Sequence, residues 1–81
     1  MLLEIIGFDR HQTFDIQWIE LQTMVGNFII QPGHAPMVLE LQDHASIRYC
    51  LDNTRQNSVS LPGGIVHITR DAVMILIDPN L

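Results

Sequence analysis

The stretch Ala45-Ser46-Ile47-Arg48-Tyr49-Cys50-Leu51-Asp52 decides the fold class, because it alternates without a break. Successive side chains of an extended chain point to opposite faces. Ala45, Ile47, Tyr49 and Leu51 therefore share one side, and Ser46, Arg48, Cys50 and Asp52 the other. That is the pattern of a strand buried on one face only. Upstream, Met37, Leu39 and Leu41 alternate with Val38, Glu40 and Gln42, and Phe28 and Ile30 flank Ile29 just before Pro32 stops the ladder. Downstream, the polar run from Asp52 to Asn57 has turn chemistry and joins the Tyr49 strand to Val59 and Leu61 as a hairpin. Pro62-Gly63-Gly64 then bends the chain. A last hairpin runs from Ile65 to Thr69, turns at Arg70-Asp71 and returns from Val73 to Ile77.

One segment does not keep step. Phe14, Ile16 and Trp18 share a parity that Ile19 and Leu21 oppose, which predicts either a bulge or a bend between sheets. Trp18 is assigned to the core, the commoner place for a lone aromatic on a strand. Helical periodicity is absent. Short strands separated by Pro and Gly predict an all-β, antiparallel β-sandwich or flattened barrel, built by residues 1–81 as one domain.

Composition narrows the function classes. The chain has 81 residues, 47% of them hydrophobic and 16% charged, which excludes disorder, and no apolar run approaches a membrane span. Four arginines, no lysine and nine acidic residues give a net charge of -5, which repels a phosphate backbone and argues against nucleic acid. Cys50 has no partner for a disulfide, and no secretory signal opens the chain, so a reducing cytoplasm is expected.

No catalytic constellation is present in the pattern. No serine or cysteine nucleophile is flanked by a base, Pro62-Gly63-Gly64 lacks the residues of a phosphate loop, and Glu40 and Asp43 have opposite parity. His11, His34, His44 and His67 include no His-x-His or His-x-x-x-His pair, so neither a metal nor any other cofactor is expected. The enzymatic rival is a free-standing small β-barrel of cupin type that binds a metal or small ligand. It lacks the paired histidines it needs, and a ligand-sized internal cavity is what would favour it.

What stands out instead is surplus apolar surface. Val73-Met74-Ile75-Leu76-Ile77 is apolar on both faces, and only one can meet a core. Ile29, Val38, Met74 and Leu76 all oppose their strands' core parity, and together they form a candidate exposed patch.

The segment Gly26-Asn27-Phe28-Ile29-Ile30-Gln31-Pro32-Gly33-His34-Ala35-Pro36 resembles a loop of rotary ATP synthase epsilon subunits. There, Gly, an acidic residue, an aromatic or Leu, Gly and Ile precede Pro-Gly-His-Ala-Pro. Pro32 and Gly33 favour a tight turn, and Pro36 holds Ala35 extended, which presents His34 at a rigid tip. Gly63-Gly64-Ile65-Val66-His67-Ile68 followed by Asp71-Ala72-Val73-Met74-Ile75-Leu76 is similar to the family's closing hairpin. Leu2-Leu3-Glu4-Ile5-Ile6, with Phe14 after a turn, looks like its opening strands. The chain departs from the pattern at Gln22-Thr23, where the family often has Pro-Gly, at Ile29 in place of Gly, and at Asn27 in place of an acid.

The resemblance is to the N-terminal β-sandwich domain, in the short form that lacks a C-terminal helical hairpin. Braking of ATP hydrolysis and nucleotide binding belong to those helices and are not carried over. What it implies is a noncatalytic central-stalk subunit of a proton- or sodium-translocating synthase, whose catalytic sites lie on other subunits. Such a subunit docks on the gamma subunit and the c subunits of the rotor ring, at the cytoplasmic face of the inner or plasma membrane. It is soluble when isolated, with self-association left open, and not inserted in the bilayer. The residues expected to meet these partners are Asn27, Ile29, Pro32, Gly33, His34, Ala35, Pro36, Val38, Met74 and Leu76.

Overall fold

A computed structural model describes residues 1–52 and 55–77. Among these residues nine strands follow in chain order: β1 (Leu2–Ile6), β2 (His11–Asp15), β3 (Trp18–Thr23), β4 (Gly26–Ile30), β5 (Met37–Glu40), β6 (Ala45–Cys50), β7 (Gln56–Leu61), β8 (Gly64–Ile68) and β9 (Ala72–Ile77). They form a five-stranded sheet, β2-β1-β9-β8-β5, and a four-stranded sheet, β4-β3-β6-β7. The antiparallel sandwich expected from the alternation is the architecture found, with one exception. β1 runs parallel to β9, from Leu2 opposite Ala72 to Ile6 opposite Leu76. Adjacent pairing of the first and last strands closes the middle of the larger sheet.

The core follows directly from period two. Leu3 and Ile5, Val73 and Ile75, Val66 and Ile68, and Leu39 point inward from the larger sheet; Ile19, Leu21, Ile30, Ala45, Ile47, Tyr49 and Leu61 point inward from the smaller one. Phe14 crosses between the layers to lie 5.1 Å from the Tyr49 ring. Each fully buried aliphatic side chain contributes roughly 1.5–3 kcal/mol, which is large beside the ~4–12 kcal/mol net stability of a domain this size.

The phase slip after Phe14 is a bend between sheets. Ile16 is buried, its N–H donates to Met1 O (2.9 Å), and the Gln17 N–H donates to Cys50 O (2.8 Å). The chain thus leaves the larger sheet at β2 and enters the smaller one at β3. Two expectations fail here for that reason. Trp18, the first residue after the crossing, lies half-buried on the outer face instead of in the core. Cys50, expected on the outer face with Arg48, is buried because the crossing passes over the end of β6, bringing Gln17 Oε1 to 3.7 Å from its Sγ. Leu51 is half-buried and packs against the core as its parity predicts. The turn expected between β6 and β7 includes Asn53 and Thr54, which lie outside the described residues.

At the opposite end the sheets are joined by a corner. β3 pairs with β6 only over Trp18–Glu20; beyond this Leu41 bridges to Thr23, and the Met24 N–H donates to Glu40 O (2.9 Å). Gln22 Oε1 accepts from the Ser46 N–H (2.8 Å), replacing the ladder bond lost where β3 peels away.

Candidate docking face

The outer face of the five-stranded sheet is built by the residues that oppose the core. Strand register places Val38, His67, Met74 and Glu4 side by side on β5, β8, β9 and β1. The next row holds Glu40, Ile65, Leu76 and Ile6. Leu2 sits beside Ala72 one row the other way. Strands lie ~4.8 Å apart, so these rows span about 15 Å. Val38 is 66% exposed, and Leu2, Ile65 and Leu76 are each 43% exposed. Aliphatic groups thus run across four strands, interrupted at the centre by His67. The far edge turns polar where His11 Nε2 meets Glu4 Oε2 at 2.9 Å.

Three of the four residues expected to form one patch are therefore neighbours. Ile29 does not join them. It lies on β4, whose outer face belongs to the other sheet, where it is 57% exposed. The difference is physical: alternation tells inside from outside but not which of two sheets carries the outside. Ile29 instead lines an open groove of about 250 Å³ with Trp18, Gln31 and Arg48. The Arg48 guanidinium lies 5.5 Å from the Trp18 ring centroid, and its Nη2 is 3.1 Å from Glu20 Oε1. This groove lies outside the sandwich, whose inner faces are packed with the aliphatic core. Among the described residues no three metal-ligating side chains come together.

The Gly26–Pro36 segment also divides. Gly26 pairs with Thr23 at the corner end, whereas the Gly33 N–H donates to Arg70 O (2.8 Å) at the far end of β8. Asn27 and His34 consequently face opposite ends of the sandwich and cannot meet one flat partner. Nor is His34 a free tip. It is half-buried, its N–H donates to Gln31 O (3.1 Å), and its Nδ1 donates to Ala35 O (2.8 Å). Pro32, Gly33, Ala35 and Pro36 are exposed around it.

Several residues of the surface were not singled out by alternation. Leu2, Ile6 and Ile65 belong to the apolar face; Ile65 had a signal, since Ile65-Val66 is apolar on both parities, as β9 is. Phe8, Met24 and Val25 sit at turn tips near the Asn27 end, and Phe8 is 92% exposed. Turn tips have no periodicity to read.

A sandwich with this strand order and an apolar outer face invites comparison with known proteins. Residues 3–79 match the family described as ATP synthase, Delta/Epsilon chain, beta-sandwich domain. The chain belongs to this family. The ATP synthase epsilon chain of Mycolicibacterium vanbaalenii is 29% identical over 77 residues, which cover 94% of this chain and 64% of the relative. That of Mycobacterium tuberculosis is 29% identical over 75 residues, covering 91% and 62% respectively. This chain thus spans somewhat less than two thirds of these curated relatives. In solved structures, a chain of the Euglena gracilis mitochondrial ATP synthase OSCP/F1/c-ring assembly superposes with a TM-score of 0.86 at 18% identity, covering 95% of this chain and 49% of that one. A chain of the Tetrahymena thermophila mitochondrial ATP synthase central stalk and c-ring gives 0.78 at 15%, covering 95% and 62%. At these identities the superpositions establish the shared fold. No helix among the described residues is long and apolar enough to cross a membrane.

Proposed function

We propose that this chain is a noncatalytic epsilon-type subunit of the central stalk of a rotary ATP synthase, proton- or sodium-translocating, that docks on the gamma subunit through the outer face of its larger sheet. The carrying observation is the run of aliphatic side chains across β5, β8, β9 and β1 in a domain of this family. A partner is what such a face calls for, because large contiguous apolar patches on soluble monomers mark interaction sites. Catalysis then belongs to other subunits, and the chain's place is on the cytoplasmic side of the membrane within a peripheral complex.

Magnitudes say what the face can do alone. Its side chains are already half covered by their neighbours, so completing their burial contributes about 1 kcal/mol each. Five or six of them supply ~5 kcal/mol against an association cost of ~4–15 kcal/mol. Further contacts must therefore help. The corner end, with Asn27, Met24 and Val25, is the surface proposed to meet the c subunits of the rotor ring; Asn27 offers hydrogen bonds there without charge. Without a partner, the same apolar face favours weak self-association at high concentration.

The test is binding of the purified chain to the gamma subunit from the same organism, by pull-down and calorimetry. A complex at micromolar concentration is expected. Its absence would leave the fold standing and remove the stalk role.

A further inference from the structure

At the centre of the apolar face stands one titratable group. His67 on β8 is exposed, lies directly between Val38 on β5 and Met74 on β9, and has Ile65 and Leu76 on the adjoining row. Among the described residues its imidazole makes no hydrogen bond or ion pair. We infer that His67 makes docking through this face sensitive to protons: the imidazole is covered in its neutral form, and protonation expels the partner. The inference rests on the docking role proposed above and names a regulation of that same surface.

The charged groups around His67 leave it without an obvious counter-ion. From β5, Glu40 is the diagonal neighbour, opposite Ile65 instead of His67. From β9, the facing residues Ala72, Met74 and Leu76 carry no charge. Glu4 stands beyond Met74 on β1 and is engaged by His11 at 2.9 Å. Arg70 and Asp71 lie in the turn beyond the end of β8. A partner laid on this face removes water from the ring while offering it aliphatic neighbours. Desolvation disfavours a charged imidazole, so the complex holds fewer protons than the free chain. By linkage, affinity is full at high pH and falls as pH drops through the range in which histidine takes up its proton.

Titration of binding to the gamma subunit across pH 5.5 to 8 tests this, with the native chain and His67→Gln compared in parallel. The native chain is expected to bind more weakly at pH 5.5 than at pH 7.5, with a slope of at most about tenfold per pH unit, the limit that uptake of one proton sets. His67→Gln should be flat over the range, while His11→Gln, His34→Gln and His44→Gln keep the native slope. A slope that persists in His67→Gln overturns the inference, whether it comes from acid unfolding or from gamma's own groups. Tighter binding at low pH also overturns it, because a carboxylate of the partner would then be meeting a protonated ring. Binding that is strong and independent of pH sinks the proton sensitivity alone, whereas no binding at any pH removes the docking role and this inference with it.

Discussion

A Cβ placed on Gly64 would lie 2.2 Å from the carbonyl oxygen of Leu76. β8 starts at this point, pressed against the backbone of β9, and Gly64 has φ of +151°, which L side chains rarely adopt. The Pro62-Gly63-Gly64 bend is thus a place where only glycine fits. Gly64→Ala combines backbone strain with a clash that no side chain can relieve, since the obstacle is main chain. The expected loss is about 2 kcal/mol or more, read as a melting temperature lower by roughly 8–16 °C. A shift below a few degrees would show that the two strands separate here without cost.

Thr23 is the one buried polar side chain among the described residues, and its hydroxyl both donates and accepts. Oγ1 donates to Gly26 O at 2.6 Å and accepts from the Val25 N–H at 3.2 Å, clamping the turn between β3 and β4. Thr23→Val keeps the shape and deletes both bonds. It should cost ~1–3 kcal/mol in urea unfolding, because the turn's carbonyl and amide lose their partner. Thr23→Ser keeps the hydroxyl and should cost less; the reverse order would mean that the methyl group, not the clamp, matters.

The alternation at Tyr49 and along β5, β8 and β9 was legible because one face of each strand meets the core, and burial imposes period two. What the pattern could not carry was layer membership. Ile29 and Val38 look alike in sequence, each an aliphatic on the polar parity, yet they face opposite sides of the molecule because β4 and β5 belong to different sheets. The positions of Trp18 and Cys50 depended on where the chain crosses between sheets, and Gln17 at that crossing carries no distinctive signal. The separation of Asn27 from His34 followed from strand length: with β4 between them, the two residues reach opposite ends of the sandwich. The parallel pairing of β1 with β9 is a long-range contact, invisible to any local window.

Neighbouring residues on β9 should respond very unequally to the same change. Ile75 is fully buried between the layers, whereas Leu76 is 43% exposed on the outer face. Ile75→Ala leaves a cavity and is expected to cost ~2–5 kcal/mol, a large share of the total stability. Leu76→Ala should stay within about 1 kcal/mol. Equal losses at the two positions would mean that the outer face is covered within the isolated chain, and the case for an apolar docking surface would lapse.

Charge placed on one sheet or the other distinguishes the two outer surfaces as partners for the gamma subunit. Val38 and Leu76 lie on the larger sheet, on rows that include His67 and Ile65; Ile29 lies on the smaller sheet, beside Trp18 and Arg48. All three are exposed in the free chain, so Val38→Asp, Leu76→Asp and Ile29→Asp should each fold, as unchanged circular dichroism would confirm. Covering a carboxylate with an apolar partner surface requires its desolvation. The aliphatic neighbours of Leu76 offer it no counter-charge, and Val38→Asp is measured in His67→Gln as well, since His67 lies directly opposite position 38. Val38→Asp and Leu76→Asp are therefore expected to weaken gamma binding at least tenfold, while Ile29→Asp stays within about threefold of the native chain. If Ile29→Asp proves the more damaging, the stalk sits on the smaller sheet, and the aliphatic rows on β1, β5, β8 and β9 serve some other contact.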